Sequence, residues 1–284
     1  MGRALSQLIE DINLEKIEIN IFRGATLDIA RQQLYGGQVL AQAINAAART
    51  VVSSLVLHSV HAYFLRSGSE DIPIIYEVDR IRDGKTFTTR RVVAIQHGRA
   101  IFNASFSYQL PEDSEIEHGA AMPDVPGPES LLSDEVLYTE MLGKPLQQAW
   151  PIEYRQIDPV NLKQLKPKPA THYVWFRSNG DLIDDYSLHQ ELLAYASDHL
   201  LLHTALRPHA LDGWCGDIKM ASLDHAIWFH RPFRVDEWLL YEMESTVASG
   251  SRAFCRGQVF DSKGTLVAST TQEGLLRPLR SDES

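Results

Sequence analysis

A single aspartate inside a strongly apolar stretch is the residue of this sequence best placed to do chemistry. Asp198 lies in YASDHLLL, in the middle of the longer run LHQELLAYASDHLLLHTAL, whose leucines and alanines cover almost every side of a helical wheel. A helix that is apolar all round is a buried helix, and a buried carboxylate keeps its charge only when it has partners. Asp198 is therefore predicted to be paired, protonated or functional, and the residue pattern leaves these three open.

Further polar residues lie on strands that follow this helix. Ser222 and Asp224 occupy alternate strand positions and so share one face, whereas Asp224 and His225 face opposite sides and are not expected to meet. Gln272 lies near the end of the last strand, in STTQEG, where polar residues interrupt a β-branched run. Each position also has a structural explanation: Ser222 fills a tight spot, and Gln272 marks the polar end of an edge strand.

Other familiar catalytic arrangements are missing from the sequence. His199 and His203 are spaced like a helical metal pair, but no third ligand motif accompanies them, and we predict no metal. There is no G-x-S-x-G elbow, P-loop or G-x-G-x-x-G, and neither cysteine has an activating pattern nearby. Any catalysis is therefore expected to use water directly, without a bound cofactor.

The elements that would position these residues follow a simple order. A strand around Ile17 to Phe22 precedes a helix with apolar residues at helical spacing, YGGQVLAQAINAAART. Four strand-like runs come next, separated by turn signals: LHSVHAYFL, IPIIYEVDRI, FTTRRVVAIQ and AIFNASFSYQL. The second half has a similar order, with THYVWFRS, the apolar helix, and then ASLDHAIWFHRPF, EWLLYEMESTVAS, RAFCRGQVFD and LVASTTQEGLL.

The two halves repeat each other at one fixed spacing along the chain, which we call the repeat offset. It is the spacing from Gly84 to Gly250, and without a gap it also pairs Arg90 with Arg256, Val93 with Val259, and Gly98 with Gly264. A long helix wrapped by a curved antiparallel sheet, present twice, predicts an α+β double hot-dog whose halves join side by side in one sheet. Applied to the candidate site, the repeat offset pairs Gln272 with Phe106, Ser222 with Val56, and Asp198 with Gln32.

A proline-rich segment separates the two units. Nine of the thirteen prolines fall between Pro111 and Pro169, together with the acidic run EDSEIE, and one helix is predicted near Leu132 to Met141. We therefore predict an N-terminal hot-dog domain over residues 1–112, a connector over 113–149 and a C-terminal hot-dog domain over 150–284.

Composition excludes several classes of function. The net charge of −10 and the scattered basic residues argue against nucleic acid as a partner, and no apolar run is long enough to insert into a membrane. The N-terminus has no secretory h-region. Cys215 and Cys255 lie among apolar neighbours and are expected to be reduced core residues of a cytoplasmic protein.

Taken in order, these motifs resemble the acyl-CoA thioesterase II family of double hot-dog enzymes. The likeness runs through nearly the whole chain and is weakest in the connector. It is carried by LEKIE, FRG, YGGQVLAQA, HSVHAYFLRSG, PIIYEVDRIRDGKTFTTRRVVAIQ, YASD, LDHAIWFHRPF, EWLLY and ASTTQEG.

The resemblance implies a function and a set of roles. The substrate would be fatty acyl-CoA, hydrolysed to free fatty acid and CoA, and the protein would be a homo-oligomer, either a dimer or a tetramer. Asp198 would be the general base, and Ser222 and Gln272 would hold the attacking water; the family often has Thr where this chain has Ser222. We also expect a backbone N–H around Gly36 and Gly37 to polarise the substrate carbonyl.

Two other functions remain open from the sequence. One is an enoyl-CoA hydratase-like hot-dog enzyme, which would need an Asp and a His facing each other. The other is a non-catalytic acyl-CoA binding module, which would have the tunnel without the residues that activate water.

Overall fold

The computed structural model describes residues 2–26, 34–143, 150–213 and 218–279. Within these ranges the helices are α1 Arg3–Ile12, α2 Gly36–Ala48, α3 Asp134–Leu142 and α4 Tyr186–Ser197. The strands of the first half are β1 Glu15–Glu18, β2 Ile21–Gly24, β3 Val56–Phe64, β4 Ile74–Asp83, β5 Phe87–Gln96 and β6 Arg99–Gln109. Those of the second half are β7 Ile152–Ile157, β8 Thr171–Ser178, β9 Ile218–Ser222, β10 Asp224–Phe229, β11 Leu239–Ser249, β12 Arg252–Asp261 and β13 Leu266–Pro278. Short 3₁₀ helices cover Pro128–Ser130 and Leu202–His209.

All thirteen strands belong to one antiparallel sheet. Its order is β1-β2-β4-β5-β6-β3-β10-β13-β12-β11-β8-β7, and β9 continues the pairing of β10 along β13. The halves meet at the β3–β10 pair, where Val60 lies opposite Ile227. The predicted continuous sheet and the double hot-dog architecture are therefore confirmed.

The two long helices form the centre of the core. α2 and α4 pack against each other, and α2 also packs on strands β4 to β6. Ten of the thirteen residues of α2 are buried, and several of them are alanines, so the backbones of the two helices approach closely. Polar links also join the helices to each other and to the sheet: Asn45 donates to Glu191, and Gln190 donates to the carbonyl of Leu57.

The repeat offset holds for the strands but not for the helices. It superposes β4 on β11, β5 on β12 and β6 on β13, and the left-handed hairpin glycines Gly98 and Gly264 coincide. The helices α2 and α4 begin at Gly36 and Tyr186, a shorter spacing that we call the helical offset. The pairing of Asp198 with Gln32 is therefore wrong, since the helical offset pairs Asp198 with Ala48, the last residue of α2; Gln32 itself lies outside the described residues.

Two predicted elements differ from the structure. The strand expected around Ile17 to Phe22 is a hairpin of β1 and β2, because Asn20 adopts a φ of 62°, a left-handed conformation that Asn tolerates well. The apolar helix predicted to continue past Asp198 ends at Ser197, and Leu200, with a φ of 67°, interrupts helical geometry before the 3₁₀ helix.

The connector contains the helix that was predicted for it. Ser133 accepts a hydrogen bond from the N–H of Val136 at the start of α3, and Gly143 ends the helix with a φ of 69°. The domain boundaries at residues 112 and 150 remain our proposed division. They are supported by the end of β6 at Gln109 and the start of β7 at Ile152.

Candidate active site

Asp198 occupies the C-cap of α4, where tyrosines from other elements complete the last helical turn. The carbonyl oxygens of residues 195, 196 and 197 accept hydrogen bonds from three hydroxyls, contributed by Tyr35 (2.8 Å), Tyr154 (3.3 Å) and Tyr241 (3.2 Å). The last carbonyls of a helix lack the regular intrahelical bond, so the hydroxyls stabilise termination at this point; the carbonyl of Ala196 also accepts the backbone N–H of His199 at 3.2 Å. The ending places the Asp198 side chain outside the helix, half-buried beside a cleft.

The three predicted site residues are brought together by the fold. Asp198 Oδ1 accepts hydrogen bonds from Ser222 Oγ (3.2 Å) and Gln272 Nε2 (2.7 Å). Gln272 Nε2 also donates to Ser222 Oγ at 2.7 Å. Because an ionised carboxylate only accepts, the amide nitrogen of Gln272 and not its oxygen must face Asp198.

The strand positions explain why these side chains converge. Ser222 ends β9 and lies opposite Gly274, and Gln272 projects from β13 to the same place. β13 is an inner strand paired on both sides, and Gln272 is fully buried, so the edge-strand explanation of this residue is wrong. Burial without partners is costly for an amide, and the bonds to Asp198 and Ser222 satisfy its nitrogen. Among the described residues, Gln272 Oε1 has no hydrogen-bond partner.

The third partner of Asp198 comes from the other half of the chain. The backbone N–H of Gly37, in the first turn of α2, donates to Asp198 Oδ2 at 2.9 Å. The N-terminus of a helix also favours a negative charge through its dipole. We expected the Gly37 N–H to polarise the substrate carbonyl, and the structure corrects that expectation, since this N–H binds the carboxylate.

Both glycines are required by close contacts. A Cβ on Gly36 would lie 2.9 Å from Asp198 Oδ2, and a Cβ on Gly37 would lie 2.5 Å from the carbonyl oxygen of Tyr195. Contacts this short are strongly repulsive for carbon and oxygen, so a larger residue at Gly37 moves α2 away from α4, and one at Gly36 displaces the Asp198 carboxylate.

The carboxylate opens into a cleft of about 690 Å³ between the two halves. The cleft walls are mostly apolar and come from α2, the end of β3, β6 and the segment around β9; they include Leu34, Val39, Phe64, Ile101, Leu202 and Met220. Asp198 and Ser222 both line it, whereas Gln272 lies behind them. A cleft of this kind accommodates an apolar chain with its polar end at Asp198.

Asp224 and His225 make their hydrogen bonds outside the group of Asp198, Ser222 and Gln272. Asp224 accepts from the N–H of Glu273 (2.6 Å), and His225 shares a hydrogen bond with Ser197 Oγ (3.0 Å), so the two do not meet, as predicted. His225 is fully buried, and burial lowers its pKa, which keeps the imidazole neutral.

The possible metal pair does not form on a helix. His199 and His203 follow the end of α4, and the ring of His199 packs on Tyr154 with centroids 4.4 Å apart. No group of three potential ligands occurs among the residues described. Over those same ranges, no helix is long and apolar enough to cross a bilayer.

The described cysteine is not a nucleophile. Cys255 is a buried free thiol, and burial raises its pKa to about 11, so the reactive thiolate is disfavoured. Cys215 lies outside the described residues.

Comparison with known proteins connects this geometry to a family. Residues 146–275 match the family model described as acyl-CoA thioesterase, and residues 27–109 match that of the acyl-CoA thioesterase N-terminal domain. Acyl-CoA thioesterase 2 of Haemophilus influenzae is 41% identical over 98% of this chain and 99% of its own length. The chain belongs to the acyl-CoA thioesterase family. The family and the enzyme class, a thioester hydrolase, are thus confirmed.

Solved structures of similar proteins confirm the architecture. An acyl-CoA thioesterase II from Mycobacterium marinum is 40% identical, with a TM-score of 0.80 over 96% of this chain and 98% of the other. A hot-dog protein of unknown function from Alicyclobacillus acidocaldarius is only 18% identical, yet has a TM-score of 0.79 over 96% and 99% of the two chains. The latter supports the fold alone.

Sequence reasoning on this thioesterase missed the contribution of the first half to the site. The YGG motif pointed to α2, but nothing local showed that Gly37 would bind Asp198, which is distant in sequence. It also missed the hydroxyls of Tyr35, Tyr154 and Tyr241, because tyrosine is an ordinary residue of strands and cores. The sequence carried one signal of this ending: an aspartate lies inside the apolar run, and no helix-ending glycine follows it. Contacts with other elements were therefore needed to end α4 there.

Proposed function

We propose that the chain hydrolyses fatty acyl-CoA to free fatty acid and CoA by direct attack of a water molecule activated by Asp198. The observation that carries the proposal is the arrangement of Asp198, Ser222 and Gln272 at the head of an apolar cleft. The hydrogen bonds hold the carboxylate in one orientation, and the cleft gives a substrate carbonyl access to it.

Counting acceptor sites supports a role for Asp198 as a general base. A carboxylate offers about four lone-pair sites. Donors from Ser222, Gln272 and Gly37 occupy three of them. The remaining site accepts a proton from water, and the bonds to the other three keep the carboxylate from rotating.

Ser222 and Gln272 act as positioning residues for the base and the water. Gln272 uses its two amide hydrogens on Asp198 and Ser222, so the Ser222 hydroxyl hydrogen is directed to Asp198. Ser222 Oγ retains a lone pair for the water. Since Gly37 is engaged, we assign polarisation of the substrate carbonyl to the N–H of Gly36, the first residue of α2, which lines the same cleft.

The reaction then needs little further assistance. Water attacks the thioester carbon while Asp198 takes its proton, and the C–S bond breaks when the tetrahedral intermediate collapses. The departing thiolate recovers the proton from Asp198. A thiol has a pKa near ~8.5, so it leaves more readily than an alkoxide or an amine, and no metal or cofactor is required by the proposal.

A chain-length series tests the proposal directly. Thiol release is followed with a colorimetric thiol reagent on acyl-CoAs of increasing length, and the fatty acid product is identified by mass spectrometry. Equal amounts of CoA and fatty acid are expected. Crotonyl-CoA serves as a hydratase substrate: hydration without thiol release, or binding without either reaction, overturns the proposal.

Partners and location complete the proposal. The substrate is acyl-CoA, the assembly is a homodimer or homotetramer as the family resemblance implies, and the location is the cytoplasm, where a buried free thiol such as Cys255 stays reduced. Sedimentation equilibrium distinguishes the two assemblies from a monomer.

A further inference from the structure

A second cleft lies at the other end of the strand pair that joins the two halves. It has a volume of about 770 Å³, close to that of the cleft at Asp198. The active cleft is lined by the end of β3 and by residues next to the start of β10, whereas the second is lined by the start of β3 and the end of β10. Because β3 and β10 are antiparallel, the two clefts occupy equivalent positions around the junction.

The internal repeat relates the linings of the two clefts residue by residue. The repeat offset carries Phe64–Gly68 of the active cleft onto His230–Arg234 of the second, and carries Ser222 and Leu223 back onto Val56 and Leu57. The helical offset carries Gly36 onto Tyr186 and Val39 onto His189. The second cleft is therefore the repeat-related counterpart of the active cleft.

The counterpart has lost the residues that activate water. The repeat offset pairs Val56 with Ser222 and Phe106 with Gln272, and the helical offset pairs Ala48 with Asp198. None of Val56, Phe106 and Ala48 accepts a proton from water. The cleft has a volume that suits an acyl chain, and part of its lining is apolar, including Phe229, Phe233 and Leu239.

His189 gives this cleft a polar group with no assigned role. The residue is 1% exposed and lines the cleft. Its Nδ1 accepts the backbone N–H of Val235 at 3.1 Å, so the hydrogen of a neutral ring is on Nε2. Burial lowers the pKa of His189, which favours that neutral form. Among the residues described, Nε2 has no hydrogen-bond partner, and a buried unpaired donor costs free energy that a ligand acceptor recovers.

The two arginines beside the cleft are paired with acidic side chains. Arg234 binds Asp184 (3.1 Å) and Asp236 (2.8 Å), and Arg231 lies 3.5 Å from Glu117. Acidic side chains thus neutralise these guanidinium groups. Glu112, Glu237, Asp261 and Lys263 also line the cleft, so its charges are mixed. The buried N–H donor of His189 beside the apolar residues matches a carbonyl or carboxyl oxygen at the end of an alkyl chain.

We propose that the second cleft binds a fatty acyl group without hydrolysing it, with the acyl oxygen accepting a hydrogen bond from His189 Nε2. The inference rests on the proposed function, because the ligand class follows from the repeat relation to the active cleft. The acyl group belongs either to acyl-CoA or to the free fatty acid product, and the experiment separates these sources.

The test measures binding stoichiometry by isothermal titration calorimetry. The probes are dodecanoyl-CoA, below its micelle concentration, and dodecanoate. The full chain carries Asp198→Asn so that the thioester survives. Two acyl groups per chain are expected when the active and second clefts both fill. A second site that takes dodecanoate identifies the product as the ligand, and one that takes only dodecanoyl-CoA identifies the substrate.

Variants of the second cleft locate the additional site. His189→Asn keeps an acceptor for the Val235 N–H and removes the Nε2 donor, and Val56→Trp fills the cleft. Each is expected to weaken the second binding event at least tenfold and leave one acyl group per chain. Val52→Trp is the matched control, because Val52 is 65% exposed outside the cleft and should leave both events intact.

A stoichiometry of one in the Asp198→Asn chain overturns the inference, as does a stoichiometry of two that survives both cleft variants. Thiol release by the unmutated chain is measured separately. Its absence would count against the proposed function, whatever the number of bound acyl groups.

Discussion

Replacement of the Asp198 carboxylate by an amide of the same size is the most direct test of the proposed chemistry. In Asp198→Asn the side-chain oxygen can stay between Ser222 and Gln272. The new NH₂ group then faces the Gly37 N–H, which in the unmutated chain lies 2.9 Å from its acceptor, Asp198 Oδ2. One hydrogen bond is lost and two donors oppose each other. Since the site is half-buried, we expect the free energy of unfolding to fall by only about 1–3 kcal/mol.

The effect on catalysis is expected to be much larger. The amide cannot take a proton from water, and positioned general bases contribute roughly 10²- to 10⁴-fold. We therefore expect kcat to fall about 10³-fold, equivalent to about 4 kcal/mol of transition-state stabilisation. KM should change little, because the apolar walls of the cleft bind the acyl chain in both proteins.

The assay is thiol release under saturating dodecanoyl-CoA, with circular dichroism and thermal unfolding to confirm the fold. Asp224→Asn is the matched control. It makes the same chemical change at a carboxylate that also accepts a backbone N–H, but Asp224 lies outside the cleft lining. A folded Asp198→Asn protein with kcat within threefold of the unmutated enzyme would refute the role of Asp198 as base.

Three other predictions follow from the same contacts. Ser222→Ala and Gln272→Ala should each lower kcat by up to about 100-fold, and the double variant should lose much less than the product of the two, because both act through one carboxylate. Gly37→Ala should lower both stability and kcat, since its Cβ would meet a carbonyl oxygen of α4 at 2.5 Å, whereas Gly127→Ala, with no atom within 4 Å of the new Cβ, should change neither. Burial raises the pKa of Glu191 from 4.5 to about 8, so the folded state holds this proton more tightly and stability should decline as the pH rises between those values. The slope is at most about 1.4 kcal/mol per pH unit, and denaturant unfolding across that window should show it reduced in Glu191→Gln.

Most of the fold follows from patterns that repeat along the chain. Alternating strands, turn glycines and two apolar helices predicted the order of the elements, and the repeat offset predicted that the halves would be alike. The repeat offset applied to strands because hairpins fix strand register locally. It failed for the helices because the segment after α4, which contains the 3₁₀ helix Leu202–His209, is longer than the segment after α2, which gives α2 and α4 the shorter helical offset.

The candidate site, like the fold, was predicted from the sequence only in part. Asp198, Ser222 and Gln272 were identified by resemblance to a family, and the structure brings all three within hydrogen-bond distance. The pattern of leucines and alanines also predicted that the helix would continue through Asp198. The helix ends at Ser197 because hydroxyls distant in sequence bind its last carbonyls, a contact that helical periodicity does not contain.

Patterns along the chain predict the duplicated α+β architecture, a carboxylate within an apolar run, and the division into a half that carries the polar residues and a half that lacks them. How the halves complete each other depends on contacts that form only in the folded protein. Gly37 of the first half binds Asp198 of the second, and a repeat-related cleft remains where the water-activating residues are gone. Side-chain periodicity arises between neighbours along the chain. The hydrogen bonds between α2 and the end of α4 join residues that are distant in sequence, so they form only after the two halves pack against each other.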